Sequence, residues 1–77
     1  MSTAWILIQT ELGKEKEVYL QLLDIPSVSE THVAYGEFDL VTRIDFVDEK
    51  EMARTLIGEM RSIEGVKRTE TLIALEV

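Results

Sequence analysis

The chain has no cysteine and a single histidine, His32. Without thiols, neither disulfides nor thiolate metal sites can reinforce a small core. A metal site around His32 would have to gather two or three further ligands from Asp and Glu at no marked spacing. A half-exposed strand residue is the simpler reading. No apolar run approaches the roughly 20 residues that a membrane helix needs. Met1-Ser2-Thr3 leads straight into a strand-like run, without the basic and apolar regions of a signal peptide. Basic residues are also scarce: eight Lys and Arg face fifteen Asp and Glu, for a net charge of −7. Nucleic-acid binding draws most of its affinity from Lys and Arg at phosphates, so direct contact with DNA or RNA is not expected. Lys67-Arg68 reads as a solvated strand start. A cytoplasmic protein with no cofactor and no membrane contact fits these absences.

What is present is one domain's worth of chain, residues 1–77, with 45% apolar composition. A monomer of this size leaves much of its surface wet, and its own core supplies only a few kcal/mol. So large an apolar share must either fill the core or meet a partner, and association is expected.

Ala4–Gln9 alternates as a strand, with Ala4, Ile6 and Ile8 on one face and Trp5 and Leu7 on the other. Both faces are apolar. Helices can cover one, and a second subunit is the simplest cover for Trp5 and Leu7. The spacing of Val18, Leu22 and Ile25, widened by Tyr19 and Leu23, predicts a helix over 14–25 that Pro26 ends. Ser27–Ala34 reads as a polar strand at or near a sheet edge, with Val28, Glu30, His32 and Ala34 on one face.

Leu40–Phe46 is a third strand, apolar on the side of Leu40, Thr42, Ile44 and Phe46. Its other face carries Arg43, for which solvent exposure or an intermolecular ion pair are both open. Asp48 caps a second helix, with Glu51 three residues on. Met52, Leu56, Met60 and Ile63 form that helix's stripe, with Ala53 and Ile57 beside it. Gly58 marks either a close helix approach or a tolerated surface glycine, and Gly65 is placed to end the helix. A last strand over 67–77 groups Thr69 and Thr71 with Ile73, Leu75 and Val77. Its second half is apolar on both sides, as in a strand buried twice over. The order β-α-β-β-α-β predicts an α+β, ferredoxin-like domain: a four-stranded antiparallel sheet with both helices on one face.

The chain turns between its second and third strands at Tyr35-Gly36-Glu37-Phe38-Asp39. Gly36 is free to take φ > 0, and Asp39 puts a carboxylate within reach of the turn's amides. That is either a capped hairpin or the rim of a small anion- or amino-acid-binding site.

Two segments are specific enough to compare with a family. Tyr35-Gly36-Glu37-Phe38-Asp39-Leu40-Val41 carries G-x-x-D followed by apolar residues. Ile63-Glu64-Gly65-Val66-Lys67-Arg68-Thr69-Glu70-Thr71-Leu72-Ile73 carries G-V-x-x-T-x-T followed by more. Together they resemble the effector-binding (RAM) domain of the Lrp/AsnC, or feast/famine, transcriptional regulators, from Ala4 to Val77. Family members usually add an N-terminal helix-turn-helix, and this chain looks like a stand-alone module; Met1 ahead of the first strand favours a complete product.

The resemblance implies sheet-to-sheet dimers through Trp5 and Leu7, rings of dimers, and a free amino acid as effector between neighbouring dimers. It also implies that Tyr35, Gly36, Glu37, Phe38 and Asp39 meet that effector. Amides at Tyr35–Phe38 would face its carboxylate, and Asp39 would bind its ammonium or brace the turn. Thr69 and Thr71 would line the same cleft, or serve only as strand formers. A regulatory module follows from this. An oligomerisation partner of a full-length Lrp/AsnC regulator is the alternative. An enzyme is a third reading, opposed by the absence of any spaced catalytic pair.

Overall fold

Alternation along two strands sets the layering. In a computed structural model that describes residues 1–75, β1 (Ser2–Thr10) buries Ala4, Ile6 and Ile8 on one face. Here β3 (Leu40–Phe46) does the same with Leu40, Ile44 and Phe46, as a period of two requires. Between them come α1 (Glu15–Leu23) and β2 (Val28–Val33). After β3 follow α2 (Glu49–Ala53), its wider continuation Arg54–Met60, and β4 (Val66–Ile73).

All strand pairs are antiparallel, and the sheet order is β2-β3-β1-β4. Each helical segment therefore carries the chain past one strand, which is the ferredoxin-like arrangement expected. Val18, Leu22 and Ile25 at α1 join Leu56, Met60 and Ile63 in one cluster with the inner residues of β1 and β3. Both helices thus cover the same face. The other face of the sheet is left open.

The second helix begins as its sequence indicates. The Asp48 carboxylate accepts the Glu51 N–H at 2.9 Å, satisfying one of the donors that a helix start leaves unpaired. Its second half then widens to i→i+5 bonding, seen where the Arg61 N–H donates to the Leu56 carbonyl at 2.9 Å. Leu56, Met60 and Ile63 keep their core positions, but Ile57 is 59% exposed. One residue on from Leu56 turns a side chain by roughly a quarter turn, enough to leave the seam. Thr55 is buried instead, its hydroxyl donating to the Ser27 Oγ at 3.3 Å. Leu23, expected in the α1 stripe, is likewise exposed. Nothing lies within 4 Å of a Cβ built on Gly58, so it is a surface glycine and no close helix approach explains it. Gly65 is different. Its φ is +103°, and an added Cβ would sit 3.0 Å from the Lys14 Cβ, so the helix exit is glycine for both conformation and space.

Two strands depart from the pattern expected of them. β2 lies at an edge as expected, but its register shifts between Val28 and Glu30. This bulge puts Val28 opposite Ile44 on the covered face, while Glu30 and His32 pair with Arg43 and Val41 on the open face. The last strand ends at Ile73. Leu72, Ile73 and Leu75 are exposed, so within this chain its apolar half is not buried twice over. Val77 lies outside the described residues.

Candidate ligand site

Four strand ends meet at one end of the sheet: the exits of β1 and β2 and the entries to β3 and β4. The Tyr35–Asp39 loop is anchored there. Gly36 has φ +147°, a conformation that L side chains rarely adopt, and the loop is closed where the Ala34 N–H donates to the Asp39 carbonyl at 2.8 Å. The Asp39 side chain does not cap this turn. Its Oδ2 accepts the Thr10 N–H at 2.8 Å and the Thr10 hydroxyl at 3.2 Å. The reason is local: the β1–β3 ladder ends at the pair Ile8–Leu40, leaving the Thr10 N–H one step beyond it. A carboxylate satisfies that donor well.

Other ties reach the same loop. The Gln9 Nε2 donates to the Glu37 carbonyl at 3.4 Å. Arg68 at the start of β4 pairs with the Glu37 carboxylate at 3.1 Å and lies 5.0 Å above the Phe38 ring. Tyr35 stands fully exposed at the loop's tip.

The two threonines lie on the covered side of β4, opposite Ile8 and Ile6. Thr69 is close to this end, and its hydroxyl accepts from the Arg61 Nε at 3.4 Å. Thr71 is two residues further into the strand. Next to the loop, an open concavity of about 380 Å³ is lined by Arg61, Val66, Lys67, Arg68 and Thr69. Sequence reasoning left out Arg61 and took Lys67 as solvated. The available signal was a basic pair in so acidic a chain.

The open face carries Trp5 and Leu7 on β1, with Val41 beside Leu7 and Leu72 beside Trp5. Trp5 and Leu7 are half-buried, and Leu72 is 52% exposed. Alongside runs a polar chain. Arg43 pairs with Glu30 and with Asp45, each at 3.2 Å, so the guanidinium finds its carboxylates within the chain. The Thr3 hydroxyl donates to Asp45 at 2.7 Å, and His32 lies 3.1 Å from Glu30. The Asp45 carboxyl is held below its usual range, first by Thr3 and further by Ser29 and Arg43. The Glu30 carboxyl is lowered too, first by its bond to His32 and then by Arg43. Among the described residues no group of three or more His, Cys, Asp or Glu is placed to hold a metal ion.

A carboxylate lowered in the fold stabilises it above the unfolded pKa of about 4, and that contribution is lost as pH falls through the folded value. Between about pH 6 and pH 3 the parent is therefore expected to lose more melting temperature than an E30Q/D45N double variant. Parallel curves would show that this half-buried, solvent-screened network contributes nothing.

An antiparallel sheet covered on one face by two helices, with a glycine loop beside a basic concavity, defines a ferredoxin-like domain with a candidate ligand site at one end of its sheet. The chain belongs to the Lrp/AsnC ligand binding domain family, whose pattern matches residues 3–77. It is 35% identical over 74 residues to the HTH-type transcriptional regulator FL11 of Pyrococcus furiosus, covering 96% of this chain and 48% of that protein. The chain thus spans about half the length of the curated regulators it matches. Among solved structures, TTHA0845 from Thermus thermophilus superposes with TM-score 0.95 at 31% identity, covering 100% of this chain and 96% of that one. The hypothetical protein PHS023 from Pyrococcus horikoshii gives TM-score 0.91 at 36% identity, covering 100% and 93%. These relationships make the chain a regulatory ligand-binding module rather than an enzyme. No helix among the described residues is long and apolar enough to cross a membrane.

Proposed function

We propose that the module senses a free amino acid at the Tyr35–Asp39 loop and works in the cytoplasm as a homo-oligomer, a single domain over residues 1–77. The observation that carries this is the loop itself: a glycine at φ +147° in a segment fastened to both β1 and β4. Backbone N–H groups at Tyr35–Phe38 face the α-carboxylate. Asp39, anchored through Oδ2, turns its other oxygen to the ammonium group, and Thr69 and Thr71 lie on the β4 side of the cleft. The Neisseria meningitidis regulator NMB0573, solved as a complex with L-Met, has this fold at TM-score 0.88, and its 18% identity carries the fold alone.

Assembly is proposed through the open face. Trp5 and Leu7 with Val41 and Leu72 form an apolar band that a second copy covers, and dimers join into a ring with the effector between them. Since the matched regulators are about twice as long, a full-length regulator sharing this interface is the alternative partner.

Thermal denaturation with each of the twenty amino acids is the first experiment, and at least one should raise the melting temperature at millimolar concentration. With that amino acid, D39N should weaken binding in calorimetric titration while barely moving the melting temperature, since one oxygen remains to accept from Thr10. A fall in stability with normal binding by the folded fraction would reduce Asp39 to a brace. If none of the twenty stabilises the parent, the partner reading replaces sensing.

A further inference from the structure

We propose that the concavity at the entry to β4 is a carboxylate-binding subsite, so that the effector is an acidic amino acid. This rests on the amino-acid site above for the effector's α-groups, but the subsite has its own residues. Three of the chain's eight cationic side chains, Arg61, Lys67 and Arg68, line this one concavity, and no Asp or Glu is among its lining residues. In a chain of net charge −7 such a concentration is unexpected on a merely solvated surface.

The backbone contributes as well. Gln9 pairs with Arg68 and Thr10 with Val66, so Lys67 is an extra residue, bulged out of the β1–β4 ladder. A bulge sacrifices regular pairing and re-aims a side chain, and this one lets four consecutive residues, Val66 to Thr69, line the same space.

The cations are not equivalent. Arg68 is already paired with Glu37 and packed over Phe38. Arg61 is fixed by Thr69 through Nε, which leaves its terminal nitrogens for a ligand. Neither Arg61 nor Lys67 has a carboxylate partner among the described residues. Lysine on an edge strand often serves only to block further strand pairing. That accounts for Lys67 alone, but not for an arginine brought from the end of the second helix and held by a threonine. Arg68 touches both the loop and the concavity, so one small molecule held at the loop by its α-groups can place a second carboxylate between Arg61 and Lys67.

The test is calorimetric titration at constant ionic strength with L-aspartate, L-glutamate, L-asparagine, L-glutamine, glutarate and inorganic phosphate, on the parent, K67Q and R61Q. An acidic amino acid should bind at least about tenfold more tightly than its amide. K67Q and R61Q should each remove most of that preference while leaving the unliganded melting temperature unchanged. Amides that bind as well as the acids, or an acid preference that survives both variants, overturn the subsite and leave the amino-acid reading standing. Phosphate binding more tightly than glutarate overturns the carboxylate assignment. Glutarate binding that depends on Lys67, with no amino acid bound, keeps the subsite and ends the amino-acid reading. No binding by any of the six ends the subsite.

Discussion

Replacing Ile6 by alanine is expected to destabilise the fold by about 2–5 kcal/mol, the range for truncating a buried aliphatic side chain. Ile6 is fully buried in β1, a central strand, and belongs to the one cluster that joins both helices to the sheet. A domain this small holds only about 5 kcal/mol in all, so the variant should be partly or wholly unfolded at room temperature. The matched control is I57A, at a site that sequence periodicity placed beside the same seam but that is 59% exposed. It should change stability by no more than about 0.5 kcal/mol. Urea denaturation at fixed protein concentration measures both. Equal losses would mean that Ile57 is covered in the assembled protein.

Replacing Trp5 by alanine should weaken self-association by about 2 kcal/mol, roughly thirtyfold in dissociation constant, if the open face is the subunit interface. Trp5 is half-buried in the isolated chain, with Leu72 beside it on β4 and Arg43 beside it on β3. It is the largest side chain of the apolar band. Light scattering across a dilution series reads the effect, and an unchanged dissociation constant would move Trp5 to the rim. A parent that remains a monomer near 8.8 kDa at micromolar concentration would exclude sheet-to-sheet pairing altogether. The polar chain from His32 through Glu30 and Arg43 to Asp45 and Thr3 runs along that face. These side chains are joined to one another within the chain, so a partner need not supply their hydrogen bonds.

Periodicity and end signals in the sequence determined the element order, the burial of Val18, Leu22, Ile25, Leu56 and Met60, the cap at Asp48 and the glycine at the second helix's exit. These depend on interactions within a few residues, which a linear pattern records. The G-x-x-D loop with its following threonine motif was enough to indicate the family.

Tertiary structure decided what depends on a neighbouring strand. A bulge exists only relative to its partner, so neither the register shift that turns Val28 inward nor the one that frees Lys67 can be read along one strand. Asp39 finds Thr10, 29 residues away, because a ladder ends beside it, and Arg43 finds Glu30 and Asp45 because a shifted edge strand brings one of them across. The basic concavity has the same origin. Arg61 and Thr69 are on different elements, and only the packing of the second helix's end against the entry to β4 turns scattered positive charge into one lined space.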